Sequence, residues 1–143
     1  MASFNKFNCF VQDVAHALHD MKSGTPQVYK VYLTNTAPVV TNTVYNTPAD
    51  LAAGNGYAAG GASIGAITGA QTSGVFKFTA GTQPSWTAAG GSIGPFEYAV
   101  LYNSTSATLP LIGWWDYGTP ITLTNGNTFT VATDLVNGVL TLQ

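Results

Sequence analysis

The 143-residue sequence contains no arginine, and charged side chains of any kind make up only 7 % of it, against about 25 % in an average soluble protein. Its four basic residues are lysines, and the net charge is −2. So little positive charge cannot form the basic surface that neutralises nucleic-acid phosphates or holds a protein on an anionic membrane. We therefore expect neither a nucleic-acid partner nor a membrane partner.

Cysteine and long apolar runs are also scarce. Cys9 is the single cysteine, so the chain cannot form an internal disulfide or a cysteine-rich zinc site. No apolar run approaches the roughly 18 residues of a membrane span. Asp13, His16, His19 and Asp20 interrupt the region in which a secretion signal would need an apolar segment. No metal and no other cofactor are expected.

The apolar content nevertheless predicts a folded protein. Apolar residues make up 45 % of the chain and aromatic residues 12 %, which is the opposite of the composition of disordered proteins. The length suits one domain, residues 1–143, with a sizeable core. Its surface should be neutral and rich in threonine, asparagine, serine and glycine. Such a surface is easily desolvated against another protein, which favours assembly.

The N-terminal segment has the period of a helix. Between residue 4 and about residue 21, apolar side chains recur every three or four positions and form one stripe. Lys22 and Gly24 are typical of a helix end, and Pro26 prevents continuation. We therefore predict an amphipathic helix in residues 1–24 and a β-domain in residues 25–143. The stripe consists of Phe7, Phe10, Val11, Val14, Leu18 and Met21.

The rest of the chain alternates short β-type runs with turn signals such as Asn125-Gly126 and Asn137-Gly138. Many short strands without helices between them predict a mainly β protein, an antiparallel β-sandwich for which the jelly roll is one candidate arrangement. Residues 47–57 could hold one helical turn. The predicted strands lie near 28–34, 43–46, 62–68, 73–79, 84–88, 94–103, 110–117, 120–124, 128–133 and 138–142.

The stretch LIGWWDYG, residues 111–118, poses a packing problem, because adjacent residues of a strand point to opposite faces. We predict a hairpin of 94–103 with 110–117 in which Tyr98 lies opposite Trp114. The bulky side of this hairpin should form the core, and the other side should leave a shallow floor beside Trp115. The bulky side carries Phe96, Tyr98, Val100, Tyr102, Ile112 and Trp114.

Several partners could cover Trp115 on that second side. They are a sugar ring, the N-terminal helix of the same chain and a neighbouring subunit, and Trp115 could also be an ordinary residue at the periphery of the core. The apolar stripe of the helix must be buried as well. We expect six residues to pack at interfaces within or between chains: Phe4, Phe7, Phe10, Val14, Trp115 and Tyr117.

Catalytic and metal-binding arrangements are weakly represented. Cys9, Asp13, His16 and Asp20 would share one line on a helix, which favours a solvated or interfacial side over a metal site. Glu97 and Asp116 are the available acid–base pair, but the hairpin would place them on opposite faces. No nucleophile or phosphate-loop motif occurs. The protein is therefore expected not to be an enzyme.

Six segments together carry a family resemblance. They occur in order along most of the chain: FNKFNCFVQDVAHALHDM, VYLTNTAPVVTNTVY, LAAGNGYAAGG, GPFEYAVLYN, PLIGWWDYG and TLTNGNTFTV. In these segments the chain resembles small virion structural proteins of tailed bacteriophages, in particular capsid cement or decoration proteins.

The resemblance implies a structural role without catalytic residues. The expected partners are the major capsid protein and further copies of the chain in a homo-oligomer. The expected location is the capsid surface of the virion, after synthesis in the host cytoplasm. A glycan-binding module, or a protein associated with the tail or a fibre, is the alternative.

Overall fold

Antiparallel β-strands dominate the computed structural model, which describes residues 2–143. β-structure takes up 42 % of the chain and helix 7 %, so the prediction of a mainly β protein is confirmed. The strands are β1 (Ser3–Lys6), β2 (Tyr29–Thr34), β3 (Ala62–Ser63), β4 (Thr68–Thr72), β5 (Val75–Thr79), β6 (Ser85–Thr87), β7 (Ile93–Asn103), β8 (Leu111–Leu123), β9 (Thr128–Thr130) and β10 (Leu140–Leu142).

The strands of residues 2–143 form three sheets. The main sheet has the order β1-β8-β7-β2-β3, the second β10-β5-β4, and the third pairs β6 with β9. Leu101 of the main sheet, Phe78 of the second and Trp86 of the third belong to one buried cluster, which we call the main core. A smaller cluster lies on the other face of the main sheet and contains Phe7, Tyr32, Val100, Tyr102 and Leu111. The main sheet therefore buries side chains on both faces.

The N-terminal segment is not the continuous helix that the sequence pattern predicted. Residues Ser3–Lys6 form β1, and the helix α1 covers only Cys9–Ala15. Ala17 then adopts a left-handed conformation with φ 59°, and the Leu18 N–H donates to the Asp13 carbonyl in a closing turn. The spacing of the phenylalanines fits both structures. Residues three apart lie on the same stripe of a helix, but they lie on opposite faces of an extended strand, so the spacing alone did not distinguish the two.

The β7–β8 hairpin was predicted, but its register and its core face were not. Val100 lies opposite Trp114 and Ala99 opposite Trp115, two residues away from the expected pairing. The face with Ala99 and Trp115 meets the main core, whereas Trp114 packs against the smaller cluster on the other face, so the expectation that the core lies on the Trp114 face alone is wrong. Gly113 leaves room there for the ring of Phe4, which packs on Trp115, whereas Tyr98 remains half-exposed.

Several predicted strands have different limits. The runs 110–117 and 120–124 are one strand, β8, and the run 62–68 is divided between β3 and the start of β4. The run 43–46 contributes a single bridge from Val44 to Pro110. The helical turn expected in residues 47–57 is confirmed as a 3₁₀ turn at Thr47–Ala49.

Candidate functional site

The two adjacent tryptophans are both covered by the N-terminal segment of their own chain. The ring of Phe4 lies 4.9 Å from that of Trp115, and the ring of Phe7 lies 4.5 Å from that of Trp114. Trp115 is only 4 % exposed, so no sugar can stack on it. The floor beside Trp115 is also filled, because a side chain at Gly113 would collide with the Phe4 ring.

The other residues expected at interfaces pack within the chain to different degrees. Phe7 and Phe10 are fully buried. Val14 and Tyr117 are partly buried against the main core, and the Tyr117 ring packs edge-on against Phe129 at 5.1 Å. Among the six residues, Phe4, Val14 and Tyr117 therefore keep surface that a second chain could contact.

A carboxylate holds a group of tyrosines between the main sheet and the segment 45–60. Asp50 accepts hydrogen bonds from the hydroxyls of Tyr45 at 2.8 Å and Tyr57, and from the Gly60 N–H at 2.6 Å. Burial, together with Asp50, raises the pKa of the Tyr45 and Tyr57 hydroxyls. These tyrosines therefore stay neutral donors, which fixes the segment against the sheet.

Next to these tyrosines lies an open groove of about 450 Å³. It is lined by aromatic, threonine, asparagine and small apolar residues without a charged side chain, among them Tyr32, Tyr45, Asn42 and Asn46. Three valines of the adjoining loop, which we call the valine rim, are 42–54 % exposed: Val39, Val40 and Val44. Exposed valines beside an uncharged groove are typical of a surface that contacts another molecule.

The polar side of α1 does not form the line that an unbroken helix would give. The Cys9 sulfur lies near the carbonyls of Asn42, Thr43 and Leu111. Burial, with a contribution from Asp13, raises the pKa of Cys9 to about 11. The thiol is therefore protonated at neutral pH and is a poor metal ligand.

The histidine that approaches Asp13 is His19, not His16. The Nε2 atom of His19 lies 4.0 Å from the carboxylate of Asp13. Both ring nitrogens are buried, and neither has a hydrogen-bond partner among residues 2–143. Burial lowers the pKa of His19 to about 4 in spite of the opposing effect of Asp13. The imidazole is therefore neutral at pH 7, and its contact with Asp13 is not an ion pair under that condition.

The described residues do not bring together a cluster of metal-ligating side chains. Glu97 is half-buried in β7, and Asp116 lies exposed in β8, where it accepts a 2.7 Å hydrogen bond from the Gly118 N–H. Residues 2–143 also contain no helix with the length and apolar character needed to cross a membrane.

Comparison with protein-family models, with curated proteins and with solved structures finds no match to this chain. The candidate site therefore rests on the chain's own geometry. It combines the uncharged groove with the valine rim, two features that the sequence reading did not single out. One signal was present: residues 31–49 contain no charged side chain and no histidine, while valines interrupt their threonines and asparagines.

Proposed function

We propose that this chain is a non-enzymatic structural protein of a bacteriophage virion, most specifically a capsid cement or decoration protein. Its proposed partners are the major capsid protein and further copies of itself, and its proposed place is the capsid surface. A sandwich-like, jelly-roll-related arrangement of the three sheets belongs to the same proposal. The shared main core supports that arrangement.

The observation that carries the proposal is the valine rim beside the uncharged groove. An exposed apolar rim gains free energy when it is covered, at roughly 25 cal/mol for each Å² of apolar surface removed from water. The absence of charge in the groove means that no ion has to be desolvated. Both properties suit a lasting contact with a neutral protein surface, which is the contact that a cement protein needs. The resemblance to phage virion proteins supports the same role.

Binding to shells tests the proposal. Capsid shells of the encoding phage that lack the protein should bind it on mixing and co-sediment with it. Val39→Asp places a charge in the contact and should weaken binding at least tenfold. Val136→Asp is the matched control, since Val136 is 75 % exposed on a different loop. Particles carrying the protein should also retain their DNA at temperatures at which bare particles release it. Wild-type protein that does not bind the shells would contradict the proposal.

A glycan-binding role is the second candidate, and the lining of the groove favours it. Aromatic rings and neutral hydroxyl and amide groups are suited to sugar hydroxyls and ring faces, and Tyr45 and Asn46 combine both kinds of group there. The test is a glycan array with wild-type protein and with Asn46→Ala. Binding that the variant loses would favour this candidate. Trp115→Ala is not a suitable test, because Trp115 is enclosed in the main core.

A further inference from the structure

The main sheet ends at β1, and the direction of its peptide groups follows from one hydrogen bond. The Phe7 N–H donates to the Ile112 carbonyl at 3.1 Å, one step beyond the pairing of Lys6 with Gly113. Peptide groups of an antiparallel strand alternate between its two neighbours. Ser3 and Asn5 therefore also face β8, whereas the peptide groups of Phe4 and Lys6 point away from it. We call these outward groups of Phe4 and Lys6 the open edge.

The chain covers other outer edges of its sheets. Beyond the end of the two-residue strand β3, β2 itself forms the outer edge, and there the Leu33 N–H donates to the Tyr57 hydroxyl at 2.9 Å and the Leu33 carbonyl accepts from the Leu51 N–H at 3.1 Å. Along β4, the Gly69 N–H donates to the Ser23 hydroxyl at 3.2 Å. Within residues 2–143, no strand lies beyond β1. The open edge is therefore uncovered, and an uncovered row of peptide groups is a template for a strand of another chain.

We infer that β1 pairs with β1 of a second copy, antiparallel across a two-fold axis, and joins two main sheets into one. The occupant is a second copy because the strand is complementary to itself in one register. The Asn8 N–H, the next outward group, already donates to the Val40 carbonyl at 3.0 Å. Position 8 is therefore blocked, and among the described residues before it a partner strand can pair with 2–6. The symmetric register over those residues places Phe4 opposite Phe4.

The side chains suit this register. Lys6 lies opposite Ala2 of the second copy. Lys6 is the only charged residue of β1, so this register keeps the lysines of the two copies apart and avoids placing like charges opposite each other. The half-buried Phe4 rings meet across the axis. Each already packs on its own Trp115, so pairing extends the aromatic cluster from one chain into the next. The Asn5 side chain lies opposite Ser3 of the second copy, which brings together two small polar groups.

This pairing rests on the self-association included in the proposed function, but it does not require the virion role. The purified wild-type protein should sediment at twice the monomer mass at micromolar concentration. Lys6→Pro should raise the dissociation constant of the dimer at least tenfold, since proline removes the outward N–H and leaves the bonds to β8 intact. Lys6→Ala is the matched control and should dimerise like the wild type. Thermal unfolding must show that both variants are folded.

Disulfide trapping reports the register directly. In a Cys9→Ser background, one chain carries Ser3→Cys and another carries Asn5→Cys. These positions would form a non-hydrogen-bonded pair with Cα atoms about 4.5 Å apart, within the range that a disulfide spans. Mild oxidation should cross-link the mixture but neither variant alone.

The possible outcomes distinguish the β1 pairing from the proposed function. A dimer that persists in folded Lys6→Pro, or a mixture that does not cross-link, overturns the β1 pairing and leaves self-association through another surface. A wild-type monomer at 100 µM, roughly a hundred times a micromolar dissociation constant, overturns the pairing and the self-association together. Binding of that monomer to shells would then leave the cement role standing.

Discussion

The hydroxyl of Tyr45 donates a 2.8 Å hydrogen bond to the carboxylate of Asp50, although the two residues lie on either side of the 3₁₀ turn Thr47–Ala49. The same carboxylate holds Tyr57 and the Gly60 N–H. One half-buried charge therefore joins the groove wall, the turn and the loop that follows it. Hydrogen bonds to a charged acceptor are roughly twice as strong as neutral ones.

Asp50→Asn should consequently destabilise the protein by about 2–3 kcal/mol, because the amide offers one acceptor oxygen where three donors converge. The free energy of unfolding in urea measures the effect. Tyr45→Phe removes one of the three hydrogen bonds and should lower the free energy of unfolding by about 1 kcal/mol. Equal stability of Asp50→Asn and the wild type would show that the network contributes little.

Acid should destabilise the protein through His19. Burial lowers the pKa of His19 from the ordinary value of 6.5 to about 4. Between those two values the unfolded chain binds a proton that the folded chain does not. The free energy of unfolding therefore falls as the pH falls through this window, by up to about 3 kcal/mol. The slope from His19 fades as the pH rises above 6.5, because the unfolded imidazole then loses its proton as well.

Urea unfolding at several pH values between 7 and 4 measures this slope. His19→Phe should flatten the slope, and His16→Gln is the control for replacing an exposed histidine of the same segment. The titratable groups that face His19 are Asp13, at 4.0 Å, and Tyr29, whose ring lies at 6.4 Å; the nearer ring, at 5.4 Å, is that of Phe10. An unchanged slope in His19→Phe would assign the acid sensitivity to other groups.

Gly113→Ala should loosen β1. A methyl group at Gly113 would collide with the ring of Phe4 and with the backbone oxygen of Asn5. Backbone cannot move aside as a flexible side chain can, so the substitution should cost about 1–3 kcal/mol. Hydrogen exchange of the Ser3 and Asn5 amides, which face β8, should become faster in the variant. Thr122→Ala, at an exposed position of the same strand, is the control and should preserve their protection.

Cys9 should react slowly with thiol reagents. A pKa raised to about 11 from the ordinary 9.0 leaves roughly a hundredfold less thiolate at pH 8. Burial is the main cause, and Asp13 adds to it, so Asp13→Asn should increase the alkylation rate severalfold. The two proteins should react alike in urea, where neither contribution survives. A wild-type rate equal to that of the unfolded chain would contradict the shielding.

The sequence was sufficient for the β-class, the β7–β8 hairpin and the turn at Thr47–Ala49, because alternation and turn residues are local signals. It was insufficient for the N-terminal segment. Phe4 and Phe7 fit both a helix stripe and the two faces of an extended segment. The choice between them depends on Trp114 and Trp115, which lie more than a hundred positions away in the chain. Tertiary contacts overrode the local period there.

The predicted register of the β7–β8 hairpin was wrong for a related reason. Irregularities near Phe96 and between Leu101 and Tyr102 shift the pairing of β7 with β8, and such bulges change which side chains share a face. The groove could not be predicted from the sequence, because its walls come from separate parts of the chain: β2, β8 and the segment 34–49. Its residues carry no charge or motif, so only their assembly in space reveals them.

The pairing of β1 with β8 joins residue 3 to residue 116, and this has a consequence during biosynthesis. The ribosome releases β1 before β8, yet the place of β1 in the sheet exists only after β8, at residues 111–123, has also emerged. Until then the phenylalanines of the segment have no tryptophans to cover. Completion of the N-terminus should therefore be a late event of folding, and nascent chains halted before residue 111 should remain sensitive to proteases at their first residues.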